Sequence, residues 1–296
     1  MTSLQATEAA EVMERTRKRE RSVFRKLIKN RLAAFGLFVI ALLFVTAIFA
    51  PVIATHPPNQ MDVTKSLLGP GEAGHLLGTD SYGRDIFSRL IYGSRVSLIV
   101  GIAAVVFGAF FGSFLGVIAG YFGGKFDSII MRIMDGLFAF PFILLAITLM
   151  TVLGQGLVNA IIAIGIANIP GFARVVRGQV LNVKESEYIA VTKSLGAKHS
   201  RIIFQHVLPN SFAPLIVYAT MSVAGAIISE ASLSFLGLGI QPPTASWGSM
   251  LQEGRNFLVL NPHMATFSGL AILITVLGIN LFGDGLRDAL DPKMKL

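Results

Sequence analysis

Few side chains in this sequence are placed to make or break bonds. The nearest approach to a nucleotide site is AGYFGGKF, residues 119–126. A phosphate-cradling loop needs G-x-x-x-x-G-K-[ST], because backbone amides of the turn wrap the phosphates and the hydroxyl reaches the metal. Here Ala119 stands where the first glycine belongs and Phe126 where the hydroxyl belongs. The segment reads as a glycine-rich turn, and no ATP or other cofactor is expected on this chain. There is no cysteine, which removes disulfides and thiolate metal sites. The five histidines (His56, His75, His199, His206, His263) are scattered, and none forms a ligand-spaced pair on a helix face. No metal centre and no catalytic residue are therefore expected.

The other charged candidates lie within or beside apolar stretches. Arg132 and Asp135, three residues apart, read as a local ion pair or as snorkelling side chains near a membrane boundary, and Glu230 is read the same way. Asn159, Asn168 and Pro170 interrupt one apolar stretch. The asparagines read as helix–helix hydrogen-bonding groups.

The elements that must hold these residues are hydrophobic. Of 296 residues, 53% are apolar and only 14% charged, against about a quarter charged in an ordinary soluble domain. Six segments approach the roughly 20 apolar residues that span a bilayer: 32–54, 97–119, 129–153, 157–176, 212–229 and 265–283. The expected fold is an all-α membrane protein of six transmembrane helices. The N-terminal segment 1–31, with its run RTRKRERSVFRKLIKNR, is polar and basic, and it reads as a retained cytoplasmic segment with a disordered start, not as a signal peptide.

Charge placement sets the direction. Of the 25 Lys and Arg, 20 fall in 1–31, 120–132, 174–210 and the tail 284–296; the other five fall in 55–96 and 230–264. Basic residues accumulate on the cytoplasmic side, so both termini are expected inside, with 55–96 and 230–264 outside. The net charge of +8 then follows from topology, and no nucleic-acid partner is expected. In the outer loop 55–96, RDIFSRLIYGSRVSL reads as an amphipathic helix lying on the membrane or against a partner. In the second outer loop, Pro242, Pro243 and Trp247 read as a membrane-interface anchor or a contact for an extracytoplasmic protein.

Within the core region 97–283, Gly108, Gly112, Gly116 and Gly120 recur every four residues along one helix face. That spacing lets another helix approach closely, either inside the bundle or at a subunit interface. The stretch 184–210 is polar and contains EYIAVTKSLGAKHSRIIFQHVLPN. It predicts a helix over Lys184–Leu195 with Tyr188, Ile189, Thr192 and Leu195 on one face, and a break at Gly196. A second helix follows, capped by His199 or Ser200, carrying Ile202, Ile203, His206 and Val207 and stopped by Pro209. Such a hairpin is too short to be stable alone, so it must dock on its own bundle or on a partner.

This hairpin resembles the cytoplasmic coupling loop of ABC-importer permeases, in which a glycine is followed thirteen residues later by the proline of a Leu-Pro pair. Gly196 and Leu208-Pro209 match it. The acidic position of that loop is Ala190 here, with Glu187 a turn earlier. HLLGTDSYGRDIFSRLIYGSRVSL, GYFGGKFDSIIMRIMDGLFAFP, EASLSFLGLGIQPPTASWG and NLFGDGLRDALDPK also resemble the second permease of dipeptide, oligopeptide and nickel importers. The resemblance covers about 75–293. It implies a type I ABC-importer permease fold in a bacterial or archaeal cytoplasmic membrane, with no enzymatic activity in this chain. It further implies a second permease subunit, two ATPase subunits that bind ATP and Mg, and a solute-binding protein as partners. The coupling residues it implies are Glu187, Tyr188, Ala190, Thr192, Leu195, Gly196, Arg201, His206, Leu208 and Pro209. Dipeptides or short peptides are the expected solutes, with nickel or a metal chelate as the alternative. An ion-coupled transporter and a transport-inert scaffold are the other classes considered. No charge sits near the middle of a span and no inverted repeat is evident, which argues against the former.

Overall fold

The computed structural model describes residues 26–290. The expected segment 1–31 lies outside the described residues through position 25, and the expected tail lies outside them from position 291. Helix α1 (Arg31–Ile48) begins at Asn30, whose Oδ1 accepts from the amides of Leu32 and Ala33. A loop with short helical turns leads to α2 (Ile86–Phe122), α3 (Gly124–Phe138), α4 (Phe142–Leu153), α5 (Leu157–Lys184) and α6 (Glu187–Ser194). One helical turn (His199–Ile202) and a π turn (Ile203–Val207) run into α7 (Leu208–Phe235), followed by α8 (Trp247–Gly254) and α9 (His263–Leu290). No strand occurs among the described residues beyond an isolated bridge between Thr79 and Asp85.

Among the described residues, five helical runs are long and apolar enough to cross a membrane: α1, α2, α5, the run from His199 through α7, and α9. The sixth expected span, 129–153, is two helices. α3 and α4 meet at 91° around Ala139–Pro141. Proline at 141 has no amide to continue the α3 ladder, and it pushes the preceding residue out of helical geometry.

Several boundaries move outward. At 37 residues, α2 is about 55 Å long, well beyond the roughly 30 Å of a hydrocarbon core. Its first turns are the RDIFSRLIYGSRVSL stretch, so that stretch is not a separate surface helix. Ile86, Ser88, Arg89 and Ile91 there are buried. Pro170 does not interrupt α5, which is continuous through it. Asn168 donates to the carbonyl of Ile164 in its own helix, and Asn159 donates to the carbonyls of Leu153 and Gly154. Asn168 therefore bridges no helices, whereas Asn159 of α5 bonds across to the last carbonyl of α4 and caps that helix, a helix–helix hydrogen bond of the expected kind. The sixth segment continues as helix to Leu290.

The bundle is organised around α2 and α5, its most extensive helix pair. The four glycines of α2 face α5. A Cβ at Gly112 would lie 2.5 Å from Cβ of Phe172 and 2.6 Å from the carbonyl of Ile169. One at Gly108 would lie 2.8 Å from Cβ of Asn168, and one at Gly120 2.9 Å from Cβ of Val180. The stripe is thus an internal packing seam. Val100, Ala104, Ile164 and Phe172 fill the core along it, joined by Ala146 and Met150 of α4 and Leu233 of α7. α1 is held on α9 in the same way, with Gly36 against the backbone of Gly278 and Phe282.

Replacing Gly112 by Leu forces α2 away from α5 and is expected to cost about 1–3 kcal/mol or more. Gly136, which faces open space, provides the control. Thermal unfolding in detergent should show a clear loss for Gly112→Leu and none for Gly136→Ala.

Candidate functional site

The two ends of the α2–α5 pair carry different constellations. At the end where α2 finishes and α5 runs out, the chain forms the hairpin 185–207. α6 starts two residues after α5, with Glu187 in its first turn, where a negative charge suits the helix dipole. Ile189 is fully buried and packs with Val117 and Tyr121 of α2, Val176 and Val180 of α5, and Ile202 and Val207. It is the root of the hairpin. The chain leaves α6 through Gly196, at φ +80°. The amide of Gly196 donates to the carbonyl of Lys193 (2.9 Å) and that of Ala197 to the carbonyl of Thr192 (3.3 Å). This is the closing pattern that a left-handed residue after a helix permits. The expected break at Gly196 therefore has a backbone reason.

Three details of the hairpin depart from the sequence expectation. Ile189 does not share a face with Tyr188 and Leu195; it points into the bundle, while Leu195 is 83% exposed. Neither His199 nor Ser200 caps the second helix. Its N-cap is Lys198, without a side-chain cap bond. Nor does Pro209 stop that helix. The π turn ends in a bond from the amide of Leu208 to the carbonyl of Ile203, and Pro209 follows in the first turn of α7. There the wider turn accommodates a residue that has no amide and a bulky ring.

Further bonds tie the hairpin to the bundle. The Tyr121 hydroxyl pairs with Nδ1 of His199 at 2.8 Å, and Lys184 Nζ donates to the Tyr121 carbonyl at 2.7 Å. Asn210 Nδ2 donates to the Tyr188 hydroxyl and to the His206 carbonyl. Within the hairpin, Arg201 Nε donates to Gln205 Oε1. The exposed apolar side chains of the hairpin are Tyr188, Val191, Leu195 and Phe204, and Lys193, Lys198 and Arg201 are exposed as well. Ala190 is exposed, and Glu187 makes no ion pair among the described residues. Nearby, Arg177 clasps Asp127 of α3 with two bonds (2.5 and 2.6 Å), and Arg174 pairs with Asp135 at 3.0 Å. Asp135 thus bonds across to α5 and not to Arg132.

At the opposite end, the loop before α2 packs under α8 through buried charge. Arg84 donates to Asp80 (2.7 Å) and to Glu253 of α8 (2.6 Å). Arg89 lies 3.5 Å from Asp80 and 3.8 Å from Glu253, and its Nη1 donates to the Pro58 carbonyl. Both arginines are 1% exposed. Trp247 is also buried. Its Nε1 donates to the Leu90 carbonyl at 2.9 Å, and Gly93 leaves room for its ring. It is therefore neither a membrane-interface anchor nor an available contact, whereas Pro242 and Pro243 are exposed. Glu230 is fully buried. One of its oxygens accepts from Ser234 and the other has no hydrogen-bond partner among the described residues, so the expected ion pair or snorkelling role fails.

The same loop brings together His56, His75 and Asp85, three residues that their sequence spacing does not connect. Asp85 also caps α2, accepting from the Ser88 amide at 2.7 Å. Burial alone would raise its pKa. Hydrogen bonds from Ser88 and His75, with His56 nearby, outweigh that and hold it below the usual carboxylate value. The charge cluster was legible only as an unusual density of Asp and Arg in DSYGRDIFSR, beside an apolar span.

A family model described as "Binding-protein-dependent transport system inner membrane component" matches residues 112–296. Another, "N-terminal TM domain of oligopeptide transport permease C", matches 21–70. The dipeptide transport system permease protein DppC of Alkalihalophilus pseudofirmus is 49% identical over 275 residues, 93% of this chain and 90% of that protein. The glutathione transport system permease protein GsiD of Escherichia coli O157:H7 is 49% identical over 273 residues, 92% and 90% of the two chains. A chain of the inward-facing MetNI methionine ABC transporter shares the fold at a TM-score of 0.58 and 20% identity, over 70% of this chain and 98% of that one.

The buried charges give a direct test of the geometry at that end. Glu253→Ala strips Arg84 and Arg89 of a shared counter-charge, which is expected to cost about 3–5 kcal/mol. Chemical or thermal unfolding in detergent should report that loss. The exposed Glu72→Ala, whose carboxylate accepts only from the nearby Gly69 amide, should change little.

Proposed function

Because the chain belongs to the binding-protein-dependent permeases of ABC importers, in their dipeptide and oligopeptide branch, we propose that it forms half of a translocation path for dipeptides or short peptides. It is a non-catalytic transport subunit; ATP hydrolysis belongs to separate ATPase chains. In this reading the other half of the path is a homologous second permease. The two ATPase chains bind ATP and Mg on the cytoplasmic side, and an extracytoplasmic binding protein delivers the solute. The names of the relatives, a dipeptide and a glutathione permease, support peptide-like solutes over a metal chelate.

The observation that carries the mechanism is the hairpin 185–207, rooted by fully buried Ile189 and presenting an 83% exposed Leu195. An apolar knob of this kind needs a partner. We assign that partner to an ATPase chain, with Glu187, Tyr188, Ala190, Thr192, Leu195 and Gly196 forming the docking helix and its end. Arg201, His206, Leu208 and Pro209 carry the return into α7. The concentration of Lys and Arg in 174–210 and 1–31 supports a cytoplasmic position for the hairpin and both termini.

Coupling follows from stiffness. α6 is joined to α5 by two residues, and the return helix runs without a stop into α7. A push on the hairpin is thus delivered to two long helices as a rigid-body motion. At the opposite end, exposed Pro242 and Pro243 are the surface assigned to the binding protein; Trp247 holds the fold beneath them.

Co-purification of the chain with its partner permease and ATPases, followed by ATPase assay, tests the assignment. Stimulation by a peptide-loaded binding protein is the expected result. Purification of the chain alone, with solute uptake driven by an ion gradient, would contradict it. Two variants probe the hairpin. Leu195→Asp should weaken ATPase docking by about 1–2 kcal/mol, a factor of about 5–30. Gly196→Val, forced into φ +80°, should leave membrane insertion intact and remove most uptake.

A further inference from the structure

We propose that His56, His75 and Asp85 form a binding site for a divalent transition cation of the zinc type, on the loop that precedes α2. Nδ1 of His75 lies 2.8 Å from Asp85 Oδ1, and Nδ1 of His56 lies 3.7 Å from the same oxygen. The donor atoms of all three residues lie within 4.8 Å of one another. Zinc holding nitrogen and oxygen at about 2.0–2.1 Å in a tetrahedron keeps neighbouring donors about 3.3–3.4 Å apart. The two observed distances bracket that value, and the two histidine nitrogens, within 4.8 Å of each other, must close toward it to complete a coordination shell.

The surrounding bonds hold the ligands in place. The second oxygen of Asp85 accepts from the Ser88 amide and the Thr55 hydroxyl, which leaves the first oxygen facing both imidazoles. The His56 amide donates to the Ser88 hydroxyl at 3.0 Å, and His56 Nδ1 lies 3.0 Å from the Thr55 hydroxyl. The two imidazole rings stack with centroids 4.4 Å apart and planes 27° apart, so a ring must turn for both nitrogens to face one cation. Carboxylates oriented by outer hydrogen bonds are what imidazole-and-carboxylate metal sites use. Two nitrogens and one carboxylate oxygen suit zinc, nickel, cobalt or copper better than calcium or magnesium, which prefer oxygen alone. A pocket lined also by Gln60, Asp62 and Lys65 adjoins the three residues. His56 is partly exposed beside it, which gives a cation an entry path and room for a water as fourth ligand.

The test uses the assembled transporter, purified with a histidine-free affinity tag and stripped with chelator. It is then equilibrated with zinc for elemental analysis, or titrated with cobalt and followed by visible absorption. Wild type should retain one more zinc per copy of this chain than His56→Ala or His75→Gln, and only wild type should develop the cobalt spectrum. Glutamine at 75 keeps a hydrogen-bond donor toward Asp85, so loss of metal there is separable from loss of fold. Thr55→Val, which removes the hydroxyl that contacts both Asp85 and Nδ1 of His56, should weaken cobalt binding about tenfold or more. Equal zinc content in wild type and both histidine variants, with no cobalt spectrum, would overturn the proposal and leave the cluster a hydrogen-bonded staple.

Discussion

The close approach of α2 to α5 is the constraint on which the rest of the structure depends. In a bilayer, apolar side chains gain little by leaving lipid for protein, so helices must associate through van der Waals contact at short range. Glycine at 108, 112, 116 and 120 makes that contact possible, because any Cβ there would strike the side chains or backbone of α5. The seam fixes Gly108–Gly120 of α2 against the stretch 165–180 of α5. It therefore fixes the relative positions of everything attached to their ends: the hairpin after α5 at one end, and the loop before α2 at the other.

The two ends are built from different physics. The hairpin is anchored by apolar burial, with Ile189, Ile202 and Val207 entering a cluster contributed by α2 and α5. It keeps its own outward surface apolar, which is unfavourable until a partner covers it. The opposite end is anchored by buried charge, with Arg84 and Arg89 sharing Asp80 and Glu253. Buried ion pairs contribute little net stability, but breaking one is costly. Such a network suits an end that must hold one geometry. The end proposed to meet the ATPases is shaped for docking, and the end proposed to meet the binding protein is locked beneath its surface.

Much of this was legible in the sequence, because bilayers impose simple patterns. Apolar length marked the spans, the four-residue glycine period marked the seam, and the Gly196 to Pro209 frame marked the hairpin. What was not legible depended on tertiary neighbours. Nothing local distinguishes the stretch 129–153 from a straight span until the break at Pro141 turns it through 91°. Ile189 is buried and Leu195 exposed because α2 and α5 lie against only one side of α6, and which side that is cannot be read from a short polar helix alone. Trp247 is a typical interface residue by sequence, but Gly93 and the Leu90 carbonyl draw it inside. His56, His75 and Asp85 are brought together by loop closure, and no spacing rule finds them.

The absence of cysteine from the chain makes the most direct test of the coupling account straightforward, since one introduced thiol is unique within it. In the assembled transporter, Leu195→Cys carrying a short bifunctional crosslinker should join this chain to an ATPase chain, and the same thiol should resist a bulky water-soluble maleimide. A thiol that labels freely and crosslinks to no ATPase would contradict the claim that the hairpin transmits motion from the ATPases to α5 and α7.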